Sequence, residues 1–296
     1  MFRDVPMLAA ILLLSLGTGP YARRPEVGTA GHGFTIASLA CGAVTVKLGN
    51  TELVRIGLGT NRLGDTPEHV AFVRETVPAG INFVDTAHLY VGGESERVIG
   101  EALHPVPEGC VVATKGGYHS GEGRPDVLRG QIEESLRRLR TDTIALNYLH
   151  RVDPQTPLEQ SLEVIASYRE RGVIRHVGIS EVDVDQIERA RQVVPIAAVQ
   201  NRYNLADREH EDVVDYCAAE GLLFVPYYPL RAAGPPAVAA IAERHSATPT
   251  QIVLAWLLRR SPVMVPIPGT RSLAHVEENL AALEIELTDE EFDALR

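Results

Sequence analysis

Cysteine is nearly missing. Cys41, Cys110 and Cys217 are the only three in 296 residues, scattered and with no C-x-x-C spacing. They supply neither a disulfide framework nor a thiolate zinc site, and they point to a reducing compartment. No H-x-H occurs among the ten histidines, so the histidine pair of a barrel metallohydrolase is absent and no metal is expected. No basic cluster offsets a net charge of −11, which argues against sequence-independent nucleic-acid binding. No apolar run reaches the roughly 20 residues of a membrane-spanning helix, so no membrane partner is expected. A dinucleotide fingerprint is lacking too, because Gly57-Leu58-Gly59 leads to Arg62 where the third glycine belongs, and there is no P-loop.

Lysine is the scarcest cation: of 28 Lys plus Arg, only Lys47 and Lys115 are lysines. A lysine kept in a chain that otherwise writes its cations as arginine is informative. Arginine is planar and permanently charged, whereas lysine is a compact donor whose proton affinity its surroundings tune.

What is present is a βα rhythm. Residues 1–43 stand apart from it. Their apolar run 7–17 has the length of a signal core, but Arg3 and Asp4 before it cancel in charge. We read the segment as a misplaced start or a disordered extension rather than a signal. That reading puts the protein in the cytoplasm; a true signal core would instead make it exported. Residues 44–296 match the roughly 250 residues of a (β/α)₈ barrel. Gly49-Asn50 marks a type I′ hairpin that closes the barrel bottom. Strands are expected at 55–60, 81–85, 110–115, 144–150, 174–180, 197–200, 222–226 and 263–267, with amphipathic helices between them. Two helices, 236–245 and 249–260, precede the last strand, and one at 272–283 follows it. The expected fold class is α/β, a single (β/α)₈ TIM barrel with an N-terminal β-hairpin and extra helices near the C-terminus.

Asp85, Lys115 and His150 each sit at the carboxyl end of an expected strand, where barrel enzymes place their chemistry, and Tyr90 follows five residues after Asp85. A phenol holds its proton at neutral pH and can give it to a developing alkoxide. A nearby ammonium lowers the phenol's pKa towards the working range. Lys115 supplies that ammonium, Asp85 keeps it charged and oriented, and His150 holds a carbonyl oxygen beside Tyr90. An acid and an oxyanion site with no nucleophile suit hydride addition to an aldehyde or ketone. No side chain stores a hydride, so a cofactor is implied. Pro268-Gly269-Thr270-Arg271-Ser272, leading from the last strand into a helix, is the candidate phosphate site.

The segments Asp85-Thr86-Ala87 through Tyr90, Thr114-Lys115 and Leu149-His150-Arg151-Val152-Asp153 resemble the catalytic tetrad of the aldo-keto reductase family. Gln200-Asn201-Arg202-Tyr203-Asn204-Leu205 and Ile267-Pro268-Gly269-Thr270-Arg271 resemble its bacterial pyridoxal reductase (pyridoxine 4-dehydrogenase)-like branch. The resemblance implies NADPH-dependent reduction of a small carbonyl substrate, possible action on pyridoxal, and a monomer or weak homo-oligomer. It implies that Thr270, Arg271, His275, Glu278 and Asn279 hold the adenosine half and its 2′-phosphate. Ser180 and Gln200 would bind the nicotinamide carboxamide, with Tyr227 stacked beneath the ring. Gly59, Thr60, Leu230 and Gly269 complete the implied cofactor contacts. Glu181 stands where many relatives have Asn, and it can accept from the amide but not donate. Tyr228 replaces a more usual Ser. The alternative activity is that of an NADPH-binding regulatory subunit with little turnover, like the potassium-channel β-subunits. A phosphate-binding barrel isomerase is a third reading.

Overall fold

The structure is a computed structural model that describes residues 44–231 and 236–296; the expectation for residues 1–43 lies outside them. A hairpin of β1 (Thr45–Leu48) and β2 (Thr51–Val54) comes first. A parallel sheet follows, in the order β3 (Leu58–Gly59), β4 (Phe83–Asp85), β5 (Val111–Gly116), β6 (Ile144–Leu149), β7 (Ile174–Ser180), β8 (Ile196–Gln200) and β9 (Leu223–Phe224). Each strand pairs with the next in sequence. The crossovers carry α1 (Pro67–Thr76), α2 (Glu94–Leu103), α3 (Pro125–Leu139), α4 (Leu158–Glu170), α5 (Val184–Val193) and α6 (Glu211–Glu220). After β9 come α7 (Pro236–Arg244), α8 (Pro249–Arg260), α9 (Leu273–Ala281) and α10 (Asp289–Ala294).

The expected eighth strand closes the ring without forming a regular ladder. On one side Phe224 N donates to Val263 O and Val265 N donates to Phe224 O. On the other, Gly57 N donates to Pro266 O and Gly59 N to Pro268 O. In a parallel ladder one residue's N–H and C=O face the same neighbour, so Pro266 and Pro268 delete the two donors aimed at β3. The segment at 263–268 therefore works as a strand in position only. Its partner β3 is correspondingly short.

The hairpin turn also differs from expectation. Among its two central residues only Gly49 has positive φ, at 59°. A type I′ turn needs both; a glycine at the first position alone fits the II′ pattern. The two-residue connection holds, with Leu48 opposite Thr51. Leu48 and Leu53 pack into the same cluster as the barrel's inward side chains, so the hairpin does stopper the bottom. The α10 helix was not foreseen, although Thr288 and Glu291 form a capping box at its start.

Side chains alternate in and out along each strand. The inward rows read Phe83 then Asp85, Val111-Ala113-Lys115, Leu146-Tyr148-His150, Gly178 then Ser180, Ala198 then Gln200, and Leu223-Val225-Tyr227. The lower members form the apolar barrel core, and the last member of each row is polar. Gly178 is required by this packing, since a Cβ there would come 2.4 Å from the Tyr148 ring. The barrel interior is filled from below and crowned with chemistry.

Candidate active site

The crown opens into a cavity of about 840 Å³, lined among others by Asp85, Tyr90, His150, Ser180, Gln200 and Tyr227. Lys115 is not in the lining. It lies beneath, fully buried, and its Nζ reaches up between the groups that are. Nζ donates to Asp85 Oδ2 at 2.5 Å, to Thr86 O at 2.7 Å and to Tyr90 OH at 3.3 Å. The second Asp85 oxygen accepts from Gln200 Nε2 at 2.8 Å. The Tyr90 and His150 rings meet edge to face with centroids 6.0 Å apart. Four residues from β4, its following loop, β5 and the end of β6 are thus brought to one point.

The electrostatics differ in one respect from expectation. Burial dominates at Tyr90 and pushes the phenol above its ordinary value; the Lys115 ammonium pulls it down without cancelling that rise. Burial also opposes the Lys115 charge, yet Asp85 and Tyr90 together outweigh it and hold the ammonium above its usual range. His150 is held well below its usual range by burial first, then by the charges of Lys115 and Arg151. The site therefore presents a protonated phenol, a charged lysine and a neutral imidazole at neutral pH.

The turn that carries Tyr90 is strained and clamped. Val91, Gly92 and Gly93 have φ of 50°, 62° and 89°, and a β-branched residue seldom accepts that region. Beneath the turn Arg138 donates to His88 O at 2.9 Å and pairs with buried Glu96 at 3.3 Å and with Glu134 at 2.7 Å. Thr114 Oγ1 donates to the other Glu96 oxygen at 2.6 Å. On the opposite side Ser95 Oγ bonds Thr60 Oγ1 and Thr86 Oγ1, each at 2.8 Å. Tyr90 is aimed by a rigid frame.

The expected cofactor residues divide into two sets. Gly59, Thr60, Ser180, Gln200, Tyr227, Leu230 and Gly269 line the cavity together with Asp85, Tyr90 and His150. Thr270, Arg271, His275, Glu278 and Asn279 lie beyond it, on the joint into α9 and on that helix. There Thr270 Oγ1 accepts from Ser272 N and meets His275 Nδ1 at 3.3 Å. Glu278 already accepts from Thr248 Oγ1 at 2.6 Å, and Asn279 is buried. Glu181 has φ of 56° and accepts from Arg202 N at 2.8 Å; it is not in the cavity lining, but its carboxylate helps raise the phenol of Tyr227, which is.

Sequence reasoning passed over Tyr118, Arg151, Arg62 and Arg231, all of which line the cavity. Arg151 follows His150 directly, and that adjacency was the available sign. Its Nη1 donates to Ser180 Oγ at 3.2 Å, and its Cζ lies 5.3 Å from the Tyr118 ring centre and 5.8 Å from that of Tyr227.

A lysine buried between a carboxylate and a phenol at the top of a parallel barrel defines a class of oxidoreductase. The profile of the Aldo/keto reductase family matches residues 55–234 and 232–296, and the chain belongs to that family. It is 40% identical over 273 residues to an uncharacterized oxidoreductase of Schizosaccharomyces pombe, covering 86% of this chain and 89% of that one. It is 33% identical over 276 residues to the pyridoxine 4-dehydrogenase of Escherichia coli, covering 85% and 96%. Among solved structures it is similar to an aldo/keto reductase from Klebsiella pneumoniae in complex with NADP and acetate. There the TM-score is 0.76 and the identity 31%, with 85% of this chain and 94% of that one covered.

Proposed function

We propose that the protein reduces small aldehydes and ketones to alcohols with NADPH, with Tyr90 as the general acid. The observation that carries this reading is the Lys115 ammonium set between the Asp85 carboxylate and the Tyr90 hydroxyl under the cavity floor. A dinucleotide fits the residues present. Ser180 Oγ accepts from Arg151 and keeps its own proton to donate, while Gln200 gives its amide N–H to Asp85 and keeps its carbonyl oxygen free to accept. Together they suit the two ends of a carboxamide. Gly59 and Gly269 both line the cavity, so its wall there is bare backbone that a ligand can approach closely. Bound there, NADPH supplies the hydride. The Tyr90 hydroxyl and a neutral His150 fix the carbonyl oxygen, and Tyr90 passes its proton to that oxygen as negative charge develops. Lys115, which keeps its charge, favours the phenolate left behind, and the Asp85 carboxylate holds Lys115 in place.

Pyridoxal is the substrate that the likeness to pyridoxine 4-dehydrogenase favours. We place the enzyme in the cytoplasm, in keeping with the sparse cysteines; among the described residues no helix is long and apolar enough to cross a membrane. The test is NADPH oxidation measured across a carbonyl panel that includes pyridoxal. Tight NADPH binding with no turnover of any carbonyl would refute the reductase reading and favour a regulatory subunit.

Two expectations follow from this site. Arg271 is exposed beside the start of α9 and suits the 2′-phosphate, so NADPH is expected to bind about tenfold or more tighter than NADH. Arg271→Ala narrows that gap by weakening NADPH; equal affinities for both dinucleotides in the unmutated protein would contradict the assignment. For pH, reduction needs Tyr90 protonated and His150 neutral. The phenol titrates above its ordinary 10.0 and the imidazole below its ordinary 6.5. The rate of reduction is thus expected to stay flat between those values, to fall above them as Tyr90 loses its proton, and to fall on the acid side only in the depressed range where His150 gains one. An inflection near pH 6.5 in kcat would show that His150 is not held neutral.

A further inference from the structure

The cavity is cationic in a chain whose net charge is −11. Arg62, Arg151 and Arg231 line it, and Asp85, the one carboxylate in the lining among the described residues, is already committed to Lys115 and Gln200. Arg62 and Arg231 are exposed at the mouth, where dinucleotide phosphates would account for them. Arg151 is different. It is half-buried, and it shares the Tyr118 ring with His150, whose ring centre lies 4.8 Å from that of Tyr118. It therefore stands on the tetrad side of the cavity.

The hydrogen bonds of Arg151 are lopsided. Nη1 carries the two good ones, to His150 O and Ser180 Oγ, each at 3.2 Å. Nη2 reaches Tyr227 OH at 3.5 Å, the outer limit of a hydrogen bond. Among the described residues Nε has no acceptor and no carboxylate pairs with the side chain. Glu181, the acid that acts on Tyr227, accepts from Arg202 N through Oε1 and makes no ion pair with Arg151 among the described residues. A guanidinium so placed keeps its Nε–Nη2 edge open, and that edge matches the two oxygens of a carboxylate. Tyr118 and Tyr227 wall it on two sides. A half-buried charge without a counterion is costly, and an anionic ligand removes the cost.

We propose that Arg151 is a substrate subsite: it takes the carboxylate of a carbonyl compound whose C=O lies against Tyr90 and His150. The preferred substrates are then small oxo acids and aldehydic acids. This rests on the reductase reading of the cavity and names the substrate class for it.

The test compares 4-oxobutanoate with its methyl ester, which differ in the charge and little else, in the NADPH-loaded enzyme. Wild type is expected to favour the acid about tenfold or more in kcat/KM. Arg151→Gln is expected to cost the acid about 10- to 100-fold more than the ester, chiefly through KM. Arg151→Lys, with charge but no fork, falls between. Equal losses for acid and ester in Arg151→Gln would overturn the proposal and leave Arg151 a positioning residue for Ser180. A wild type that prefers the ester would overturn it as well. If neither compound is reduced, the reductase reading fails separately, and titration of butanoate into the NADPH complex still decides the subsite. Binding that Arg151→Gln abolishes supports it, and no binding overturns it.

Discussion

Lys115→Arg is expected to leave a folded protein that binds NADPH and reduces carbonyls about 10²- to 10⁴-fold more slowly, the usual loss when general acid catalysis is removed. The Lys115 site holds three acceptors: an Asp85 oxygen, Thr86 O and the Tyr90 hydroxyl. A lysine ammonium has three donors and satisfies them all as a point charge. Its space is bounded by the Tyr90 ring, 4.8 Å from Nζ, and the Tyr148 ring at 5.9 Å. A guanidinium brings five donors on a rigid plane, so it must displace Tyr90 or leave buried N–H groups unmatched. Were Lys115 only a counterion for Asp85, arginine would serve and turnover would be near normal. Tyr90→Phe is the safer companion, because it removes one hydroxyl and little packing. It is expected to be at least as damaging. The double mutant should be scarcely worse than either single one, since both disable one unit. Single-turnover rates for the three variants, with NADPH binding followed by fluorescence, decide the matter. Normal turnover by Lys115→Arg would sink the assignment of the tetrad.

Gly93→Ala is the second large effect, and it acts from behind the site. Gly93 sits at φ 89°, which costs an alanine about 1–2 kcal/mol. A Cβ there would also fall 2.2 Å from the guanidinium carbon of Arg138. A flexible arginine would ordinarily move aside. This one is tied to His88 O, Glu134 and the fully buried Glu96, and pulling it away strands a carboxylate in the interior. Breaking such a buried pair costs about 3–5 kcal/mol. The expected result is a melting temperature lower by about 10–25 °C, since each kcal/mol is about 2–4 °C in a domain of this size. kcat should fall as well, because Tyr90 begins the same turn. Thermal melting and steady-state kinetics together check this; an unchanged melt and rate would show that Arg138 yields freely.

Asp85, Lys115 and His150 could be read in the chain because each ends an apolar run, where a parallel barrel places its chemistry. Ser180, Gln200 and Tyr227 carry no such contrast and are legible only through the resemblance to the family. Lys115 stood out further because lysine is so rare here. Arg151 had no such contrast, being one arginine among many. The pKa of Tyr90 was misjudged in sign because burial, which outweighs the lysine, is a property of the closed barrel and not of spacing. The strained turn at Val91 was hidden for a related reason. A valine carries no mark of positive φ, and only the clamp beneath it holds it there.

The proline-bearing segment at 263–268 bears on how the barrel is made. Its first and last strands lie some two hundred residues apart in the chain, so their union is a contact of long loop closure and is reached slowly. Until it forms, the half-made sheet has two open edges, each a template on which another copy's strand can grow. Pro266 and Pro268 offer no N–H on the side destined for β3, and an intruding strand finds acceptors there but no donors. Only a partner that can supply every donor itself, as Gly57 and Gly59 do, completes the join. The irregularity that keeps the last segment from being a true strand is also what guards the unfinished ring against its neighbours.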